Sequence, residues 1–522
     1  MSALLGRDSS LPTANPWLIA TAVMLATFME ILDTAIASVA LPYIAGSLSA
    51  SNDEATWVLT SYLVANAVIL PASNWFARRF GRKRFLVTCV AVFTLASFLC
   101  GSAPTLAFLL LARITQGASG GALQPLSQAI LLESFPPAKR GLAMALFGLG
   151  VVVAPVVGPT LGGWLTDTYS WRYAFYINLP VGALALFMIA RYVQDPPHIK
   201  NAIAGRFDGL GFGLLTVWTG CLQVVLDKGQ EDGWFGAVWL RWALLALTVA
   251  LILFIVHCLH NRNALVDLRI LQNRNFVVGS LLIFSFGIAL YSLITTLPLF
   301  FQELLGYTAF DAGVAVFPRG LGAIIALPII TYLGARLDTR YLLTFGLLLF
   351  GTLALYFGNI TLDVGPTTLL IPIIATGFAF SFCFVPINTA SYGTLRPEEI
   401  GNASGLYNLI RNIGGSIGIS LAQTLLIRRS ALHQNEIVNS VPQTSDPFQQ
   451  RLIALEQYLA LHVRSENSSQ AALGQLYLQL GHQALLWSFI DFFRYLAILL
   501  FACIALVWCF QKVKGNPPSG AH

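Results

Sequence analysis

The chain has 522 residues, of which 56% are hydrophobic and only 10% are charged, and its mean hydropathy is +0.71. A soluble domain carries about 25% charged residues, so this composition excludes a soluble enzyme and predicts an integral membrane protein. The net charge of +6 does not indicate a nucleic-acid partner, because the basic residues are spread over short loops between apolar segments. The seven cysteines lack the spacing of a metal or disulfide site, and no GxxxxGK(S/T) loop is present, so we expect no cofactor.

Apolar segments of about 20 residues or more, enough to cross a bilayer as a helix, recur along the whole chain. The first six lie near 17–45, 55–77, 85–103, 106–132, 142–165 and 172–191. Two more lie near 209–227 and 239–260, and the last six near 276–301, 311–332, 342–360, 367–390, 401–426 and 487–510. We therefore predict an all-α integral membrane protein with about fourteen transmembrane helices.

Lysine and arginine residues are concentrated in every second loop between these segments. If the N-terminus is cytoplasmic, the short outer loops carry only Arg172, Lys228 and Arg241. The cytoplasmic loops then carry many more, including Arg78, Arg79, Arg82, Lys83, Lys139, Arg206, Arg269, Arg336 and Arg340. Basic loops stay on the cytoplasmic side of a membrane, so we predict that both termini are cytoplasmic.

The two halves of the chain share a pattern of matching residues. The matching pairs lie at nearly constant separations: Pro42 and Pro298 at 256, Asn74 and Gly334 at 260, Gly141 and Gly401 at 260, and Pro125 and Pro386 at 261. The sequence therefore predicts two six-helix halves, 1–195 and 276–522, with two additional helices inserted at 196–275. Two related halves around a midplane site are the architecture of alternating-access transporters.

The segment 428–486 is polar and predicted to face outward. Apolar residues recur in it at helical spacing, at Leu452, Leu455 and Leu459 and again at Leu473, Leu476 and Leu480. Two interpretations stay open: an amphipathic cap on the outer surface, or a docking surface for an accessory protein.

Glu30 and Asp33 lie in the first apolar segment, at or beyond the middle of a hydrocarbon core about 30 Å thick. A spacing of three places both on one face of the helix. A carboxylate at this depth costs about 2.5–3.5 kcal/mol, so we interpret the pair as binding protons or cationic substrates, the alternative being a structural pairing with a neighbouring helix. A carboxyl group held away from water takes up a proton more readily, as proton exchange requires.

Arg113 and Gln116 lie within another predicted membrane segment, 106–132. A guanidinium group keeps its proton there and therefore needs a carboxylate or carbonyl oxygens close by. Asp33 and Glu30 are the candidate carboxylates, and a purely structural bond to backbone carbonyls is the alternative. In the last segment, Asp491 and Arg494 are three positions apart and are predicted to pair with each other.

Segment 142–165 is rich in small residues and proline, at Gly150, Ala154, Pro155, Gly158, Pro159, Gly162 and Gly163. Small residues let another helix approach closely, and prolines remove backbone hydrogen bonds and bend a helix. A bent, closely packed helix is a candidate hinge.

These stretches resemble the motifs of the major facilitator superfamily, in particular those of its fourteen-span drug:proton antiporters of the EmrB/QacA type. The similarity covers nearly the whole chain. Residues 32–42 are similar to the family's LDxTxxNxALP, with Ser38 in place of the asparagine. Residues 74–86 are similar to GxLaDRxGRKxxL, with Asn74 and Arg78 in place of the leading glycine and the aspartate.

Three further stretches carry the resemblance. Residues 110–117 are similar to the intramembrane RxxQG motif, and 409–418, which include Arg411, to LxRxxGGSIG. Residues 150–163 are similar to GxxxAPxxGPxxGG, which marks exporters that work by antiport.

The resemblance implies a major facilitator fold and a set of roles. Proton and substrate coupling is expected at Glu30, Asp33, Arg113 and Arg411, and a substrate cavity at Asn66, Gln116, Gln124, Asn178 and Asn408. The hinge is expected in the motif from Gly150 to Gly163. A cytoplasmic gate is expected in two loops, at Arg79, Gly81, Arg82 and Lys83 and at Gly334, Asp338 and Arg340.

The function expected from this resemblance is proton-coupled export of amphipathic or lipophilic compounds across a bacterial inner membrane. A dedicated exporter of one metabolite, fatty acid or siderophore is the alternative on the same fold. A membrane enzyme is not expected, because no Ser-His or His-Asp arrangement is found. The implied partners are amphipathic small molecules, protons and membrane lipid, and in double-membraned bacteria a periplasmic adaptor and an outer-membrane channel.

Overall fold

The computed structural model describes residues 15–136, 139–195, 207–230, 233–261, 264–334, 336–362, 364–440, 446–462 and 468–511. The regular secondary structure within these ranges is helical, and thirteen helical segments are long and apolar enough to cross a membrane. The remaining predicted span, 401–426, lies inside the helix Pro397–Ser440, where glycine, asparagine and one arginine interrupt the apolar residues. The predicted all-α membrane architecture is therefore confirmed.

The described residues up to Tyr192 form eight α-helices. They are α1 (Pro16–Ser47), α2 (Asn52–Phe80), α3 (Arg82–Gly101), α4 (Leu106–Gly120), α5 (Leu123–Ser134), α6 (Arg140–Thr168), α7 (Tyr173–Tyr176) and α8 (Asn178–Tyr192). The fourth predicted span is divided into α4 and α5, and the sixth into α7 and α8. The helix starts are fixed locally: the Ser51 side chain and Glu54 form a reciprocal capping box at the start of α2.

The described residues after Tyr192 form ten α-helices. The inserted pair is α9 (Gly209–Lys228) and α10 (Val238–His260), and α11 to α18 follow as Arg274–Glu303, Ala309–Val316, Pro318–Gly334, Thr339–Phe357, Pro366–Tyr392, Pro397–Ser440, Asp446–His462 and Ser468–Val507. The tenth predicted span is divided into α12 and α13 before Pro318, since the residue before a proline disfavours the helical conformation. The division of the chain into two six-helix halves with an insertion stays a prediction, and the terms N-terminal half and C-terminal half denote helices α1–α8 and α11–α18 by their order in the sequence.

Gly117 in α4 and Gly121 directly after it let this helix lie directly on α2. A Cβ atom added at Gly117 would lie 2.3 Å from the Tyr62 carbonyl oxygen, and one at Gly121 would lie 2.3 Å from that of Asn66. Only glycine permits such an approach between helix backbones. The close contact brings Arg113 and Gln116, on α4, next to the acids of α1.

The segment 428–486 is helical over most of its described length. Helices α16 and α18 have 44 and 40 residues, which is about 60–66 Å at 1.5 Å per residue and twice the thickness of the hydrocarbon core. Their ends therefore project beyond the membrane, where Leu455 and Leu459 of α17 pack against Ala472 of α18. The helical spacing predicted for this segment is confirmed, although Leu473 points outward and is 44% exposed.

The predicted pairing of Asp491 with Arg494 is wrong. The Asp491 carboxylate lies 2.9 Å from His433 Nε2 and 3.7 Å from Arg429 Nε, both on α16. Arg494 instead donates to the Gly358 carbonyl oxygen at 3.2 Å. Both residues lie on α18, but each faces a different neighbouring helix and finds its partner there.

Candidate functional site

Asp33 is the centre of a buried network that lies within the N-terminal half. Its carboxylate accepts hydrogen bonds from Arg113 Nη1 at 2.6 Å, from Gln116 Nε2 at 2.8 Å and from Asn178 Nδ2 at 2.6 Å. Ser97 Oγ accepts from Gln116 and Asn178 at 2.7 and 3.2 Å and holds both amides in place. Of the two candidate carboxylates, it is therefore Asp33 that pairs with Arg113.

The partners of Arg113 account for most of its hydrogen-bonding capacity. Its Nε donates to the Val58 carbonyl oxygen at 3.0 Å, and its Nη1 also reaches Gln116 Oε1 at 2.7 Å. The guanidinium lies 4.3 Å from the centre of the Tyr62 ring. Both Arg113 and Asp33 have fully buried side chains, so each charge depends on the other for compensation.

Glu30 lies one helical turn away from Asp33 but has a different environment. Its carboxylate accepts from Asn66 Nδ2 at 3.0 Å and from Gln124 Nε2 at 2.6 Å, and it is 4% exposed. In the described part of the chain it makes no ion pair. Both of its hydrogen-bond donors are neutral amides, which can serve a carboxylate or a protonated carboxyl group.

Gln124 connects Glu30 to the other half of the molecule. Its Oε1 accepts a hydrogen bond from Arg411 Nη2 on α16, while its Nε2 donates to Glu30. The chain from Glu30 through Gln124 to Arg411 thus joins α1, α5 and α16. The Asp33 network contains no comparable link to the C-terminal half among the described residues.

A second connection between the halves lies one helical turn along α5. Gln128 Nε2 donates to Asn388 Oδ1 at 2.8 Å, and Gln128 Oε1 accepts from Asn408 Nδ2 at 2.6 Å. The sequence interpretation gave no role to Gln128 or Asn388. The spacing of four between Gln124 and Gln128, which places both on one helix face, is the signal that could have identified the first.

The five residues expected in a substrate cavity do not line an open space in this structure. All are at most 5% exposed, and their side chains bond within the networks described above. Gln116 and Asn178 donate hydrogen bonds to Asp33. Asn66 and Gln124 donate to Glu30, and Asn408 donates to Gln128. At this depth the amide side chains are paired with the two acids and with one another.

The glycine-rich helix α6 packs on the helix that carries the acids. A Cβ atom at Gly158 would lie 2.4 Å from Ala35 Cβ, and one at Gly162 would lie 3.2 Å from Ile36 Cγ2. Ala154 is fully buried, and Pro155 and Pro159 lie inside the helix. Among the described residues, Gly150 has only Met24 nearby and Gly163 has nothing within 4 Å, so the close approach depends on Gly158 and Gly162.

The same helix contacts the C-terminal half on its other side. A Cβ atom at Gly148 would lie 2.7 Å from the Phe384 ring, and one at Gly313 would lie 2.0 Å from Thr160 Oγ1. Helix α6 therefore lies between α1 and the opposite half. A change in its bend would move both surfaces.

The first basic loop is built around Gly81 and Arg82. Gly81 has a φ of +86°, which favours glycine, and it lies between α2 and α3. Arg82 Nη1 lies 2.5 Å from Glu133 Oε2, and the Lys83 backbone N–H donates to Asp195 Oδ1 at 2.7 Å. Arg79 is exposed.

The contact between halves near this loop involves Asn74, one of the residues that depart from the family motif. A Cβ atom at Gly401 on α16 would lie 2.3 Å from Asn74 Oδ1. In the second loop, Asp338 caps α14, and Arg340 Nη2 donates to the Phe510 carbonyl oxygen. Gly334 has only Leu342 near it. The described contacts do not bring the two loops together.

The described residues contain no group of three or more His, Cys, Asp or Glu side chains arranged to hold a metal ion.

Comparison with known proteins identifies the family. The sequence model of the Major Facilitator Superfamily matches residues 23–419. The chain is 36% identical over 504 residues to the multidrug export protein EmrB of Escherichia coli strain K12, covering 96% of this chain and 95% of that protein. It is 35% identical over 501 residues to the fatty acid resistance protein FarB of Neisseria gonorrhoeae, covering 95% and 96%.

A solved structure supports the fold. The proton:xylose symporter XylE of the same superfamily superimposes with a TM-score of 0.56 at 14% sequence identity, covering 80% of this chain and 90% of that one. At this identity the similarity concerns the fold alone. The chain belongs to the major facilitator superfamily and, within it, to the EmrB type of transporter.

Proposed function

We propose that the protein exports amphipathic or lipophilic compounds in exchange for protons, by alternating access of the space between its two halves. Its relatives include a multidrug export protein and a fatty acid resistance protein, each similar over at least 95% of this chain. The observation that carries the coupling proposal is the connection from Glu30 through Gln124 to Arg411, since it joins a titratable group to a contact between the halves.

Glu30 is the proton carrier in this proposal, and Asp33 has a structural role. Protonation of Asp33 would leave Arg113 as a buried charge without a counterion, which costs about 3–5 kcal/mol. Protonation of Glu30 breaks no direct ion pair among the described residues, because its hydrogen-bond partners are the neutral amides of Asn66 and Gln124. Glu30 can therefore change its protonation state at the lower cost.

Protonation also changes what Gln124 contacts. A protonated Glu30 is a weaker acceptor than a carboxylate, so it holds the Gln124 amide less firmly, and with it the bond from Arg411. Loosening this connection favours separation of the halves. Protons taken up from outside would thus promote release of substrate outward, and deprotonation inside would reset the carrier.

The alternative is a dedicated exporter of a fatty acid. The similarity to FarB favours it, together with the buried cation Arg411 at the contact between the halves. A narrow substrate profile of the purified protein would identify this alternative.

The test uses purified protein in liposomes that contain a trapped pH-sensitive dye, with an imposed pH gradient. Wild type, Glu30→Gln and Asp33→Asn are compared on addition of amphipathic compounds, with Glu436→Gln as a control because the Glu436 side chain is 73% exposed. We expect Glu30→Gln to lose substrate-dependent proton movement but to keep substrate exchange without a gradient. Wild-type proton movement in Glu30→Gln would contradict the assignment of the proton carrier.

A partner is also part of the proposal. The projecting ends of α16 and α18, with α17, form a helical surface on the side predicted to face outward. Leu432, Tyr477 and Leu478 are between 51% and 64% exposed there. We assign this surface to contact with a periplasmic adaptor in double-membraned bacteria.

A further inference from the structure

Arg319 is a buried cation in the C-terminal half that the proposed coupling mechanism does not use. It lies near the start of α13 and is 1% exposed. Its Nε and Nη2 atoms have no hydrogen-bond partner, and it makes no ion pair in the described part of the chain. Its guanidinium lies 5.8 Å from the centre of the Phe380 ring. A buried guanidinium stays charged, so a bound anion would compensate the positive charge at this position.

The predicted repeat between the halves relates the position of Arg319 to that of Tyr62. A Cβ atom at Gly377 would lie 1.8 Å from the Arg319 carbonyl oxygen, just as one at Gly117 would lie 2.3 Å from that of Tyr62. Arg319 therefore occupies the place in its half that Tyr62, next to Arg113, occupies in the other.

The acids of the N-terminal half have no counterparts in the C-terminal half. The separation of 256 that relates Pro42 to Pro298 relates Glu30 to Phe286 and Asp33 to Ala289. The positions that match Glu30 and Asp33 therefore hold a phenylalanine and an alanine, and Arg319 has no carboxylate partner in the described part of the chain.

A row of aromatic rings begins at Phe380, next to Arg319, and extends to α6 in the N-terminal half. The Phe286 and Phe380 ring centres are 4.8 Å apart, those of Phe380 and Phe384 are 5.7 Å apart, and that of Phe147 on α6 lies 6.5 Å from Phe384. All four rings are at most 2% exposed. The cluster spans the contact between the halves, so their separation would expose the rings and Arg319 together.

We propose that Arg319 and these four phenylalanines form a substrate subsite for amphipathic anions. The guanidinium would bind a carboxylate or sulfonate head through two parallel N–H donors, and the rings would pack against the apolar body of the ligand. Because the site lacks an acid of its own, the ligand supplies the compensating charge. This inference rests on the proposed export function and specifies one class of its substrates.

The test compares two probes of equal chain length and opposite charge, decanesulfonate and decyltrimethylammonium, neither of which carries a proton across a bilayer by itself. Their dissociation constants are measured for wild type, Arg319→Gln, Arg319→Lys and the control Arg396→Gln, since the Arg396 side chain is 81% exposed. We expect Arg319→Gln to weaken sulfonate binding about 10- to 100-fold and ammonium binding less than about two-fold. Arg319→Lys, which keeps the charge but not the paired donors, should show a smaller loss.

Unchanged sulfonate binding in Arg319→Gln would overturn the inference, as would equal losses for both probes. If Arg319→Gln does not fold, wild-type sulfonate binding in Arg319→Lys would overturn it, and selective weakening of sulfonate binding there would support it.

Proton movement in liposomes separates this inference from the proposed function. Failure of both probes to move protons in wild type would count against the export function, whereas sulfonate-driven movement that is equal in wild type and Arg319→Gln would count against the subsite alone.

Discussion

At the scale of single residues, the two acids of α1 differ in what neutralises them. Asp33 has a cation and two amides as partners, whereas Glu30 has amides only. A buried ion pair is stable only while both partners are present. Asp33 is therefore suited to holding α4 and α8 against α1, and Glu30 is suited to exchanging a proton.

This difference predicts the stability of variants of the ion pair. Arg113→Gln leaves Asp33 as a buried, uncompensated charge, so we expect a loss of about 3–5 kcal/mol. The double variant Asp33→Asn with Arg113→Gln should be more stable than Arg113→Gln alone, because no charge then stays buried. Thermal unfolding in detergent measures all three variants, and a double variant that loses the sum of the two single losses would contradict the assignment.

At the scale of the helices, glycine determines how closely α6 approaches α1. The hinge motif contains four glycines, and among the described contacts it is Gly158 and Gly162 that approach α1 closely. Gly158 lies against Ala35, whereas Gly163 has nothing within 4 Å. The motif therefore offers a matched pair of positions, one in the helix contact and one outside it.

We expect Gly158→Ala to destabilise the protein by about 1–3 kcal/mol, because the added methyl group overpacks the contact with α1. Gly163→Ala is the control and should change stability by less than about 1 kcal/mol. Transport should slow only in Gly158→Ala, since a displaced α6 also shifts its contacts with the C-terminal half. Thermal unfolding and the liposome assay measure both effects, and equal behaviour of the two variants would rule out this role for the contact.

At the scale of the whole molecule, the halves meet at several depths. Asn74 meets Gly401 near the face predicted to be cytoplasmic, Arg411 meets Gln124 in the middle, and Thr160 meets Gly313 near the other face. Alternating access requires the contacts of one face to open while those of the other persist. In the proposed mechanism, the amide and guanidinium bonds in the middle are the contacts that break and re-form in each cycle.

The projecting helices give a prediction at the same scale. We expect Tyr477→Glu combined with Leu478→Glu to abolish capture of a periplasmic adaptor co-expressed in a double-membraned host, because both side chains are exposed apolar surface and a charge there opposes docking. Transport by the purified variant in liposomes should stay at the wild-type rate. Gln475→Glu adds a charge without removing apolar surface and serves as the control. Unchanged capture by the double variant would argue for a simple cap.

The sequence by itself determined the membrane spans and the positions of the charged residues within them. It could do so because a bilayer acts as a solvent whose thickness sets the length of each apolar segment. Motif similarity also determined the family, and the placing of Glu30, Asp33 and Arg113 within the membrane followed from hydropathy alone. The polar, helical character of the outer segment was predicted, but the continuation of its helices from the membrane spans was not.

Only the tertiary structure decided which acid pairs with which cation. The partners of Glu30 lie between 36 and 94 positions away, and Arg411 lies 287 positions from Gln124, so no local pattern encodes these contacts. They depend on the rotation of each helix and on the glycines that set the distance between helices. That Arg319 has no ion-pair partner among the described residues could likewise not be predicted from the sequence, because a missing contact is a property of three-dimensional packing.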